Sequence, residues 1–412
     1  MSDLSMNMPD SSASSKNLVE PAALVRTAAA LCVFMIHAMV LSSVSGFTAT
    51  EHTWFLEAPG HMAVWIFLFI SGYYNIWGFM GEKPRYTLDA AGIRSFYIRR
   101  FLKVVLPVWC FDLIALTISE PSFVAADPGV IIRILTCTYF SEPGCASVAA
   151  TWYVSTLTWL YVCTPAIAFV LRKVYMKSAG RAADAPSDAS GEAQKPGGEK
   201  QAAHTGSAGL MGIIIVMLTT GLILRLVLLK LGVDWTKWVF VPFYTNLDVY
   251  VTGALTALLA GNKDRKRLLS GRGAYIASVI LTAALFLAAA RIYYLKAYSG
   301  SYLIFYEYIL PTVSAIVMIC VFLMADDAGY GYQKAAVCHL WKNPLRIIDL
   351  FSYISFEFYL VHSMILFHLV PFFANGTVAG HLKLLGWGFV LSCAIALLFR
   401  RATDFGALTG RR

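Results

Sequence analysis

Charge is what this sequence has least of. Only 14% of its 412 residues are Asp, Glu, Lys or Arg, where soluble domains carry about 25%. Hydrophobic residues make up 58%. That balance excludes an ordinary water-soluble globule and points to a chain that lives in a bilayer. A basic stretch interleaved with aromatic residues is also missing. The net charge of +9 is therefore not read as a nucleic-acid surface; in a membrane protein such an excess marks cytoplasmic loops. No CxxC or HxxxH spacing suggests a metal site, and no internal repeat divides the chain.

What fills the sequence instead is a series of long apolar runs. A helix needs roughly 20 residues to cross a bilayer. Ten segments approach or exceed that length, at about 22–44, 61–80, 100–118, 149–171, 209–230, 238–260, 274–291, 304–324, 347–369 and 383–399. The expected fold is all-α: a polytopic membrane protein of about ten transmembrane helices. The first run is too long for a signal-peptide core of roughly 7–15 residues and is read as a retained helix. A further apolar stretch at 129–140 is too short to span and carries Arg133, so it reads as re-entrant or interfacial.

The loops orient the chain. With ten helices and the N-terminus inside, most of the 33 Lys and Arg residues fall on the inner side, which satisfies the positive-inside rule. Both termini are then cytoplasmic. Residues 1–21 read as a disordered cytoplasmic tail and 400–412 as a basic one. Between helices four and five, residues 178–208 are small, polar and charge-mixed. Such a segment buries too little apolar surface to offset its ordering entropy and reads as a disordered cytoplasmic linker. Most of the eight cysteines sit in expected helices as small hydrophobes. Cys137 and Cys145 fall in an outward loop, either as a disulfide or as two separate thiols.

Three polar clusters interrupt the apolar background. The first is RTAAALCVFMIH, Arg26 to His37. Eleven helical steps of ~100° bring the two side chains to within roughly 20° of one face, with a rise of ~16 Å. Arg26 then sits at the cytoplasmic border and His37 near the membrane midplane. An ionisable group at that depth is costly and is a functional candidate, the plain alternative being a ring satisfied by a backbone carbonyl. The second cluster, residues 94–107, holds Arg94, Arg99, Arg100 and Lys103. Arg100 and Lys103 are i,i+3 neighbours expected to point the same way. A cationic helix start suits a phosphate; it equally suits anchoring to lipid headgroups. The third, FSYISFEFYLVHSMILFH at 351–368, places Ser355, Tyr359 and His362 on one face, with Glu357 nearby. The remaining intramembrane charges, Asp112, Arg225, Asp248 and Glu307, are expected to pair among themselves, in combinations the sequence leaves open.

Five stretches in order resemble the membrane acyltransferase-3 family. They are Arg26–x10–His37, FLFISGYY at 67–74, YIRRFLKVVLP at 97–107, TWYVSTLTWLYVCTP at 151–165 and ISFEFYLVH at 354–362. The fourth is similar to the branch related to enterobacterial common antigen O-acetyltransferase. The resemblance covers about 22–399. It implies a membrane O-acyltransferase of the bacterial cytoplasmic membrane that moves an acetyl group from cytoplasmic acetyl-CoA to a hydroxyl of a cell-surface or lipid-linked glycan. It further implies catalytic roles for His37 and Arg26 and donor binding by Arg100 and Lys103, with Arg99 beside them. Lys at 103 keeps the charge of the family's arginine but not its bidentate fork. Many members carry an acidic residue in helix four; Leu157 and Thr158 stand there instead. Ser71, Tyr153, Tyr359 and His362 are the candidates for holding the acceptor or the oxyanion. The expected partners are the bilayer and a glycan, with no nucleic acid and no metal; the oligomeric state and the acyl group stay open. The competing class is a polytopic transporter or exporter of a polysaccharide, for which corresponding helix interruptions in two halves would be expected. Pro165, Pro242 and Pro311 form no such pattern.

Overall fold

A computed structural model of the chain describes residues 21–57, 59–81, 84–138, 150–183, 198–234, 236–260, 272–298, 304–325 and 346–403. Residues 1–20 of the expected tail, 184–197 of the expected linker and 404–412 lie outside these, as does Cys145 and hence its pairing with Cys137. The regular elements among the described residues are all helices, with no strand. In chain order the helices are α1 Pro21–Ser43, α2 Gly60–Met80, α3 Ala90–Arg100, α4 Leu106–Ser119, α5 Pro121–Ala126, α6 Gly129–Leu135 and α7 Trp152–Ala183. Then follow α8 Gly198–Lys230, α9 Leu247–Ala260, α10 Arg272–Tyr298, α11 Ile304–Ala325, α12 Arg346–Phe373 and α13 Val378–Thr403.

Eight helical stretches among the described residues are long and apolar enough to cross a membrane. Two more of the expected spans appear as shorter apolar helices, Leu247–Ala260 and Tyr308–Met324. The stretch expected to be re-entrant or interfacial is the short helix α6, preceded by the equally short α5. Helices α7 and α8 run into both ends of the segment expected to be a linker, to Ala183 and from Gly198.

Two departures from the expected spans have clear causes. The span expected at 238–260 is only helical from Leu247. A π turn at Thr236–Phe240 and a non-helical stretch around Pro242 precede it, because proline removes a helical donor and collides with the preceding turn. Irregular backbone inside a membrane bundle survives only where its polar groups are satisfied by protein. Here Asn246 Nδ2 donates to the carbonyls of Phe240 and Pro242, each at 2.8 Å. Thr245 Oγ1 lies 2.7 Å from the Val239 carbonyl, and Thr156 Oγ1 donates to Val241 O at 2.6 Å.

The second departure is in the expected third span. Helices α3 and α4 form one membrane-length stretch, Ala90–Ser119, interrupted by a π turn at Phe101–Val105 whose closing N–H, from Leu106, reaches back to Phe101 O. Pro107 lies just beyond and cannot donate to the preceding turn, so the ladder widens there. The helix begins at Asp89, whose carboxylate accepts the Gly92 N–H at 2.7 Å as an N-cap.

The tightest crossing joins α2 and α9. A Cβ at Gly72 would lie 2.0 Å from Tyr250 O, and one at Gly253 would lie 2.1 Å from Phe69 O. Only glycine lets the two backbones touch, as at small-residue crossings in membranes generally. Helix α12 packs on both α1 and α13, which also touch each other.

Candidate functional site

The site grows from the contact between α1 and α12. Arg26 Nη1 donates to Ser352 Oγ at 3.1 Å, and Thr27 Oγ1 donates to Ile348 O at 3.2 Å. Eleven residues along α1, His37 Nδ1 lies 2.7 Å from His362 Nε2. The two imidazoles are nearly coplanar, 5° apart, with centroids 5.0 Å apart. Both pairs advance together along the two helices, so α1 and α12 run parallel.

The hydrogen bonds order the protons in this pair. His362 Nδ1 faces the Phe358 carbonyl at 3.1 Å. A carbonyl only accepts, so Nδ1 carries the hydrogen, and Nε2 of neutral His362 is a lone pair. The bond to His37 then requires His37 Nδ1 to donate. That leaves His37 Nε2 unprotonated, the form a general base needs. His362 is buried at 1% exposure and is enclosed by Phe34, Phe358 and Tyr359. His37 is only half-buried, so the inner member of the pair orients the outer one.

Most of the other expected residues are joined by a chain of side-chain contacts. Arg26 lies over the Tyr74 ring, 5.9 Å from its centroid. Arg100 donates to Oδ1 of Asn75, the next residue of α2. The Arg100 guanidinium also stands 5.4 Å from the Phe96 ring centroid and 5.1 Å from that of Tyr161. Tyr161 and Tyr153 both approach Ser71. The Tyr153 ring is 5.6 Å from that of Tyr359, and Tyr359 adjoins His362. Tyr359 donates its hydroxyl hydrogen to Ala150 O, which commits that donor.

One expectation fails. Arg100 and Lys103 do not form a shared cationic face. Arg100 turns inward onto Asn75 and Tyr161, whereas Lys103 is exposed and interacts with the Glu357 carboxylate of α12. The π turn between them alters the angular step on which the i,i+3 argument rested. Arg99 is exposed.

The remaining charges divide cleanly. Arg225 pairs with Asp248 at 2.6 Å, with side chains 1% and 5% exposed. Arg400 grips both oxygens of Glu357, at 2.9 and 2.8 Å. Asp112 is buried beside Thr151, and its Oδ1 has no hydrogen-bond partner. The Glu307 side chain lies outside the described residues. By contrast, Arg26 and Arg100 meet only neutral groups among the described residues.

Sequence reasoning missed Asn75, Tyr161 and His61. His61, the second residue of α2, interacts electrostatically with His37 and sits 4.8 Å from the Phe240 ring centroid. The rule that singled out His37, an ionisable group in an apolar run, applied to it equally. Asn75 and Tyr161 carried no such signal.

A protein-family model described as an acyltransferase domain matches residues 23–401. No curated protein and no solved structure matches the chain. The family match covers nearly the whole sequence and every residue of the α1–α12 site, and on that ground the chain belongs to the acyltransferase-3 family.

Proposed function

We propose that this multi-pass membrane acyltransferase moves an acetyl group from cytoplasmic acetyl-CoA to a hydroxyl of a cell-surface or lipid-linked glycan, in a bacterial cytoplasmic membrane. The observation that carries the reading is the ordered His37–His362 bond, which leaves an imidazole lone pair at mid-depth on the face of α1 that also bears Arg26. Arg26 and Arg100, held by neutral partners, supply positive charge for the donor's phosphates. With the start of α1 on the cytoplasmic side, Arg26 stands at the donor's entry and His37 lies eleven residues deeper along the helix, as a long donor with a terminal thioester requires.

In this reading His37 Nε2 accepts the acceptor's hydroxyl proton as that oxygen attacks the thioester carbonyl. The carbon–sulfur bond then breaks, and the proton passes from His37 to the departing thiolate. His362 keeps the His37 ring in the needed tautomer, as orienting groups do for ligating and catalytic histidines generally. Ser71 or Tyr153 supplies the hydrogen bond to the oxyanion, since Tyr359 is committed to Ala150. An acyl-imidazole relay through the same Nε2 uses the same geometry.

The test is transfer or hydrolysis of radiolabelled acetyl-CoA by the detergent-purified protein. His37→Ala is expected to abolish turnover. Full turnover by that variant would remove the assignment.

A further inference from the structure

Asn75 occupies an unusual position for an amide. It is 1% exposed, inside a membrane helix, and its side chain joins Arg100 on one side to Tyr250 on the other. Its Oδ1 accepts from Arg100 Nη2. Its Nδ2 donates to the Tyr250 hydroxyl at 2.8 Å. That hydroxyl lies 2.6 Å from Thr164 Oγ1, and Thr164 donates to the Leu160 carbonyl at 2.8 Å. The chain of bonds runs from α3 through α2 and α9 to α7 and ends on backbone. The glycine crossing at Gly72 and Gly253 is what brings Tyr250 against Asn75.

An amide at this place orients a guanidinium without cancelling its charge. A carboxylate of the same shape would hold Arg100 as firmly and neutralise it. Arg225 and Arg400, each paired with a carboxylate, show that the fold uses that arrangement elsewhere. Arg100 also keeps a buried Nε–H with no hydrogen-bond partner. An orphaned donor of a cation is costly unless a ligand meets it.

We infer that Asn75, braced by Tyr250 and Thr164, is the positioning residue of Arg100: a neutral seat that presents an uncompensated guanidinium to a phosphate of a CoA-type donor. The inference rests on the donor reading given above. Asn75 acts through Arg100 and not on the reacting atoms, so its replacement is expected to alter donor affinity and not the chemical step.

The experiment is calorimetric binding of CoA, dephospho-CoA and pantetheine to the detergent-purified full chain, with a melting curve for each variant. The wild type is expected to bind CoA more tightly than pantetheine. Asn75→Asp, nearly isosteric, is expected to melt no lower than the wild type. Its CoA affinity should fall by at least about tenfold while its pantetheine affinity is retained, so that the CoA-to-pantetheine ratio falls. Tyr250→Phe removes only the brace and is expected to lower the same ratio by a few fold. Where Asn75→Asp does not fold, Tyr250→Phe decides alone. A wild type that binds CoA, with an unchanged ratio in the folded variants, overturns the inference and leaves the donor reading standing. A wild type that does not bind CoA overturns both. Loss of the dephospho-CoA difference in Asn75→Asp would assign the seat to the 3′-phosphate; an unchanged difference with a lower overall CoA affinity would assign it to the diphosphate.

Discussion

Two pairs of arginines in this bundle differ in the kind of partner they meet. Arg225 and Arg400 are bound to carboxylates, Asp248 and Glu357. Arg26 and Arg100 are bound to a serine hydroxyl, an amide and aromatic faces. Bringing a cation into a membrane protein is costly. Pairing it with a carboxylate offsets that cost within the fold. Leaving it on neutral groups keeps its field available to something outside the fold. The difference separates cations that hold helices together from cations that await an anion, and charge alone, as read from the sequence, does not make that distinction.

The comparison is open to several tests, the largest effect first. Arg225→Ala strands Asp248 and is expected to destabilise the protein by about 3–5 kcal/mol, the usual cost of breaking a buried pair. The measurement is thermal unfolding in detergent. Arg225→Met with Asp248→Leu together should recover most of that loss. If the single substitution melts like the wild type, the pair is not structural and the distinction fails.

His362→Phe keeps the ring's bulk and removes the acceptor for His37 Nδ1. Loss of an orienting partner typically costs 10–100-fold, and turnover of acetyl-CoA should fall in that range with little change in melting. Arg26→Gln is expected to raise the KM for acetyl-CoA by roughly tenfold, a loss of about 1.4 kcal/mol of binding, while leaving stability nearly unchanged. A strongly destabilised Arg26→Gln would move Arg26 into the structural class.

The smallest effect concerns the start of α3, which carries Arg100. The Gly92 N–H and the Thr87 hydroxyl hold the Asp89 carboxyl below the usual carboxylate range. A depressed carboxylate adds stability above the unfolded value of about 3.9, and that contribution is lost as pH falls through the lower folded value. The protection factor of the Gly92 amide, its exchange rate relative to the intrinsic rate at each pH, should therefore fall below about pH 4 and stay constant from pH 5 to 8, with Asp89→Ala abolishing the transition.

Much of the site could be read from the sequence because it follows helical periodicity. The shared face of Arg26 and His37 is a matter of 11 steps along one helix. The meeting of His37 with His362 was not legible in that way. Both were candidates, but 325 residues separate them, and only the adjacency of α1 and α12 joins them. Periodicity misled at Arg100 and Lys103, where a π turn intervenes, and at 238–260, where Pro242 ends the helix. Pro107 and Pro242 were visible beforehand. What Pro242 did to the local turn depended on which side chains satisfy the exposed carbonyls: Asn246 from just beyond it and Thr156 from α7. Asn75 was silent for a different reason: an uncharged amide has no periodic or electrostatic signature until its partner is known.

The parallel course of α1 and α12 has a topological consequence. Two helices that traverse a bilayer in the same direction have an odd number of crossings between them in the chain. Five of the eight membrane-length stretches lie between α1 and α12, and so do the two shorter apolar helices. Five and seven are both odd; six is not. Counting the described helices alone, the parallel course requires those at Leu247–Ala260 and Tyr308–Met324 to cross together or not at all. The short link at 374–377 turns α13 back along α12, so α13 runs antiparallel to α1.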